Sequence, residues 1–74
     1  MSKNMPNIYR LRISTIADRV ADKLKGHAYT EYAHQKYRVV IETVTGRTFI
    51  YGKYSEVLGK LWAMYDVLEL AGIG

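Results

Sequence analysis

Residues 36–71 read KYRVVIETVTGRTFIYGKYSEVLGKLWAMYDVLELA, and the fold turns on how this stretch divides. Its first part alternates. Tyr37, Val39 and Ile41 interleave with Lys36, Arg38, Val40 and Glu42. That period of two belongs to a half-buried strand, and β-branched and aromatic residues dominate it, as strands favour. A second run, Arg47 to Tyr51, follows Val44, Thr45 and Gly46. A two-residue turn at Thr45-Gly46 would force positive φ on a β-branched threonine. A three-residue loop with Gly46 as the left-handed residue of a G1 bulge is the better closure. That loop pairs Ile41 with Phe49 and Val39 with Tyr51. It sends Tyr37, Val39, Ile41, Phe49 and Tyr51 to the core, and turns Arg38, Val40, Glu42, Thr48 and Ile50 the other way.

Gly52 breaks the second strand and a helix follows. Ser55 suits the N-cap, and Glu56 in the first turn suits the helix dipole. Val57, Leu58, Leu61, Trp62, Met64, Tyr65 and Leu68 fall on one broad side at a 3.6-residue period. Gly72 with Ile73 predicts a Schellman-type stop. The opposite side mixes Glu56, Lys60 and Asp66 with Ala63, Val67 and Leu70, so this helix is expected to be covered twice, by the rest of the fold or by a partner.

The N-terminal half is less legible. Residues 1–7 form a polar leader with the only proline, Pro6, and are expected to fray. Ile8 to Ile13 supports two readings. As a strand, Tyr9, Leu11 and Ile13 face in while Arg10 and Arg12 face out; as a helix, Arg10 falls in the apolar arc. The strand is preferred. A helix then begins at Ser14 or Thr15, with Thr15-x-x-Asp18 approximating a capping box. Its stripe is Ile16, Ala17, Val20, Ala21 and Leu24, and Gly26 ends it. Residues 27–35 fit a loop, a short strand with Ala28, Thr30 and Tyr32 on one side, or a helical turn. The expected fold is α+β, a small antiparallel-rich sheet against two helices in the order β-α-β-β-α, and 74 residues allow one domain. So small a core is marginal, and homodimerisation through the apolar back of the last helix would relieve it.

Composition narrows the classes. The absence of cysteine excludes a disulfide framework and Cys-ligated metal. No apolar run approaches the roughly 20 residues that span a bilayer, and the N-terminus has no signal-peptide core, so a cytoplasmic, membrane-free protein is expected. The net charge of +4 is uneven: residues 1–54 hold ten Lys or Arg against four Asp or Glu, and residues 55–74 hold one against three. The basic excess favours an anionic partner, either nucleic acid or an acidic protein surface.

Candidate sites follow from that excess. Tyr29, Tyr32, Tyr37, Tyr51 and Tyr54 interleave with Lys25, Lys36, Arg38, Arg47 and Lys53; tyrosines can stack on unpaired bases, although Tyr37 and Tyr51 also suit the core. Lys36, Arg38, Arg47, Lys53 and Tyr54, with Arg10 and Arg12 from the N-terminal segment, could meet phosphates and bases. The alternative is an ordinary solvated surface, with the arginines protecting a strand edge. Trp62, Val67 and Leu70 are candidate protein contacts, though Trp62 also suits plain core packing. His27, Glu31 and His34 would share one helical face, but too few ligands converge for a metal site. Ser14 and Ser55 are explained as caps. There is no G-x-S-x-G, P-loop or dinucleotide fingerprint, so neither a catalytic site nor a cofactor is expected.

From Tyr37 to Tyr65 the chain runs strand, glycine turn, aromatic strand, Gly-x-Tyr-Ser, helix. This order resembles the small sheet-plus-helix DNA-binding domains of plant transcription factors and of integrase arm-binding modules. The resemblance covers under half of the chain. It implies a sheet laid against the major groove, with Arg38 and Arg47 as the outward arginines. A non-enzymatic DNA- or nucleic-acid-binding module is the first expectation. A protein-binding inhibitor or adaptor of the phage or mobile-element type, acting through the last helix and the aromatic surface, is the alternative.

Overall fold

The computed structural model describes residues 8–74, in the order α1 (Ile8–Lys23), β1 (His27–Ala33), β2 (Lys36–Thr43), β3 (Gly46–Gly52) and α2 (Tyr54–Leu70). The leader at 1–7 lies outside these residues. The class is α+β, but the order β-α-β-β-α is not adopted, because the chain opens on a helix. Ile8 to Ile13 is the first part of α1 and not a strand. No glycine or proline stands between Ile8 and Lys25 to turn a strand into a helix. Ile13 also falls in step with Ile16, Ala17, Val20 and Ala21, and all five are buried. Leu11, expected inward, is exposed. The Thr15 hydroxyl does not cap; it donates to the Leu11 carbonyl one turn back, 2.9 Å away.

The helix stops in a Schellman arrangement. Gly26 N–H bonds the Ala21 carbonyl at 2.8 Å and Lys25 N–H bonds Asp22 at 3.1 Å, with Lys25 at φ 57°. The left-handed residue is therefore the lysine. Gly26 is required for another reason: a Cβ there would stand 2.0 Å from the Glu42 carbonyl oxygen.

Residues 27–35, open in the sequence, supply strand β1 and a tight turn. The sheet is an antiparallel meander, β1-β2-β3. The β1–β2 turn is His34-Gln35, with φ of 54° and 63°, the double left-handed pattern of a type I′ hairpin. The β2–β3 turn is shorter than expected. Thr43 pairs Gly46, leaving Val44 and Thr45 as a two-residue loop. The Thr43 hydroxyl accepts from Thr45 N–H at 3.3 Å and lies 3.0 Å from the Thr45 hydroxyl, so its side chain closes the turn. Gly46 takes a φ of 144°. The register thus differs by one residue from the bulged one. Val40 pairs Phe49, Val39 pairs Ile50 and Arg38 pairs Tyr51.

That slip exchanges the faces of β3. Tyr37, Val39 and Ile41 point to the core as expected, but Ile50 joins them, and Phe49 and Tyr51 point to solvent. Both helices cover the inner face, α1 over β1 and β2, α2 over β2 and β3. They run parallel. Tyr9 meets Tyr54 near their starts, with ring centroids 4.7 Å apart, and Lys23 meets Glu69 near their ends at 2.6 Å. Ile13, Val20, Val39, Ile41, Val57 and Leu61 are fully buried in this layer, and each such side chain contributes about 1.5–3 kcal/mol.

Helix α2 begins two residues earlier than a Ser55 cap implies. Lys53 is the N-cap, and its backbone N–H donates to Glu56 Oε1 at 2.8 Å. Lysine carries no acceptor to complete the box. The C-terminal stop is the Schellman motif the sequence implies: Ile73 N–H bonds Leu68, Gly72 N–H bonds Glu69, and Gly72 has φ 70°.

Candidate binding face of the sheet

Because both helices lie on one side, no other element among the described residues covers the other side of the sheet. Alternation fixes what it carries. The register sets His27, Glu42 and Arg47 in one cross-strand row, Tyr29, Val40 and Phe49 in the next, then Glu31, Arg38 and Tyr51, and finally Ala33 and Lys36. Phe49 is 60% exposed, Tyr51 55% and Tyr29 51%. Val40, between Tyr29 and Phe49, is buried, yet it lies outside the core cluster under the helices. The outer face therefore has an apolar floor of its own.

Polar contacts knit the rows together. Arg38 Nε donates to Glu31 Oε1 at 2.7 Å, and its second guanidinium nitrogen reaches the same oxygen. Arg47 Nε lies 2.8 Å from Glu42 Oε2. The Tyr29 hydroxyl donates to Glu42 Oε1 at 2.9 Å. That hydrogen bond, with the carboxylate charge beside it, holds the Tyr29 phenol above its ordinary pKa. The Lys36 ammonium stands 5.5 Å from the centroid of the Tyr51 ring. Three cations against two carboxylates leave the face mildly positive. Exposed pairs such as Arg38–Glu31 are weak, so a phosphate can replace the carboxylate at little cost.

A shallow depression of about 690 Å³ lies where β1 turns into β2, lined by Arg10, Lys36, Arg38, His34 and Tyr51 among others. Arg10 arrives from α1, and its guanidinium donates to the Thr30 carbonyl at 3.1 Å. Four expected cations thus have distinct places. Lys36, Arg38 and Arg10 gather at one end. Arg47 sits at the far end, beside the β2–β3 turn. Arg12 does not accompany Arg10, since residues two apart on a helix diverge. Lys53 follows Gly52, the partner of Tyr37, and its backbone reaches the Lys36 end of the sheet. Tyr54 is not part of the face. It is half-buried between Tyr9 and Tyr37, with centroids at 4.7 and 6.2 Å.

The candidate protein contacts all lie on α2, away from this face. Trp62 stacks edge-on against Tyr65 at 5.9 Å and is partly exposed. Val67 and Leu70 are exposed, Leu70 at 89%. His27 and Glu31 sit four residues apart along β1 and His34 lies in the turn. Among the described residues no three His, Cys, Asp or Glu side chains gather as metal ligands.

Sequence alone sends Phe49 to the core and leaves Tyr51 between a core and a base-stacking role. Their signal was parity. Arg47, Phe49 and Tyr51 must share a face in any regular strand, so an outward Arg47 carries both rings outward with it. No helix among the described residues is long and apolar enough to cross a membrane. Comparison with family models, curated proteins and solved structures found no match to this chain.

Proposed function

We propose that the protein is a non-enzymatic nucleic-acid-binding module whose outer sheet face is the binding surface. One observation carries the reading: Tyr29, Phe49 and Tyr51 lie uncovered on the same sheet face as Lys36, Arg38 and Arg47. Cations neutralise phosphate, and exposed rings meet sugars and bases, so the pairing suits nucleic acid better than either feature alone. Arg10 and Lys53 extend the cationic end; Arg12 and Tyr54 contribute nothing to it. Oligonucleotide binding measured against salt tests the proposal. The double variant Lys36→Glu/Arg38→Glu should abolish binding while circular dichroism stays native. Unchanged affinity in the folded variant would refute it.

A second reading rests on α2. Val67 and Leu70, with Trp62 on the flank, leave an apolar stretch of helix uncovered, and aromatic anchors commonly dominate protein contacts. It predicts self-association or partner capture that tolerates salt and is lost with Val67→Asp/Leu70→Asp.

A further inference from the structure

Resting on the nucleic-acid reading above, we infer that the outer face takes an unpaired strand, with bases stacked on Phe49 and Tyr51 and phosphates met by Lys36 and Arg38. Geometry is the first ground. Phe49 and Tyr51 are alternate residues of β3, so their rings stand roughly 6.8 Å apart along the strand. That is about twice the 3.4 Å that separates bases along one strand of a duplex. A nucleic-acid strand running along β3 can offer one base to each ring only when its bases are unstacked. A duplex shows base edges in its grooves and keeps the base faces inside, so it has nothing for these rings to stack on.

Electrostatics is the second ground. Lys36, Arg38 and Arg47 are opposed on the same face by Glu31 and Glu42, and both arginines are already ion-paired. Such a surface can neutralise two or three phosphates. Duplex binding draws mainly on many phosphate contacts, whereas stacking is sequence-tolerant and needs few. The third ground is placement. The Lys36 ammonium lies against the Tyr51 ring, and both line the depression that also holds Arg38 and Arg10. A phosphate bound there belongs to the nucleotide whose base covers Tyr51. Tyr29 is a third platform, across Val40 from Phe49, its ring fixed by the bond to Glu42.

Fluorescence anisotropy tests this with a labelled single-stranded oligonucleotide, as DNA and as RNA, and with the same DNA as a duplex. The expected result is single-strand affinity at least roughly tenfold above the duplex. Phe49→Ala and Tyr51→Ala should each weaken single-strand binding by roughly fivefold or more, and Tyr51→Phe should keep it. The salt slope should be shallow, about −2 for three phosphates on a single strand. Thermal unfolding confirms that each variant is folded. Equal or tighter duplex binding overturns this inference and leaves the nucleic-acid reading standing, as does full single-strand affinity in the folded alanine variants. If neither form binds at low salt, both fall.

Discussion

Gly26 meets β2 so closely that it tolerates no side chain, while the left-handed position beside it is filled by Lys25. Substitutions at these neighbours should therefore move stability in opposite directions. Gly26→Ala pushes a methyl into the Glu42 carbonyl and should destabilise by about 1–3 kcal/mol, as overpacking does. Lys25→Gly relieves the left-handed strain, and the gain should approach about 1 kcal/mol after glycine's larger entropy loss. Urea unfolding of both variants checks the pair. A second expectation concerns Glu69. Its hydrogen bond from Lys23, and the charge beside it, hold the carboxyl below its ordinary 4.5. A lowered folded value favours the ionised form, so this stabilisation is present above pH 4.5 and is lost as pH falls through the lowered value. Glu69→Gln should be less stable than the parent at neutral pH, and the two should converge in acid. A difference that persists below that range would contradict the assignment.

The elements were unevenly legible. Helix α2 and strand β2 declared themselves through long, regular periods, and the Gly72 stop could be read directly. Strand β1 could not. Its turn, His34-Gln35, performs a type I′ role without the Asn-Gly pair that signals one. Two L-residues held at positive φ should make this turn a source of strain. His34→Asn/Gln35→Gly should raise stability by roughly 1 kcal/mol, or about 4–8 °C in Tm. A lower Tm would show that His34 or Gln35 contributes more than its backbone. The start of α1 was misread because Tyr9, Leu11 and Ile13 alternate as a strand would. Burial of Ile13 in the core cluster and packing of Tyr9 on Tyr54 accompany the helix instead, and the contact between two tyrosines so far apart in the chain is not visible in local sequence. At the β2–β3 turn the chain takes the two-residue loop in place of the bulge, with the Thr43 hydroxyl accepting from Thr45 N–H.

Across the whole molecule, that choice matters most. It divides the sheet into a dry face beneath two parallel helices and an open face carrying rings and guanidinium groups. The site is half legible: charge points to Lys36, Arg38 and Arg47, whereas the three-residue loop expected at Gly46 sets a register that turns Phe49 and Tyr51 to the core. Adjacent residues of β3 now separate folding from binding. The most direct measurement compares Phe49→Ala with Ile50→Ala, recording both the unfolding free energy and the affinity for a single-stranded oligonucleotide. With Phe49 outward and Ile50 inward, Ile50→Ala should lose about 2–5 kcal/mol of stability, whereas Phe49→Ala should stay within about 1 kcal/mol of the parent and bind the oligonucleotide roughly fivefold or more weakly. A Phe49→Ala protein that unfolds like a core variant would contradict the two-faced sheet, and one that stays folded and binds as the parent does would contradict the stacking role of its outer face.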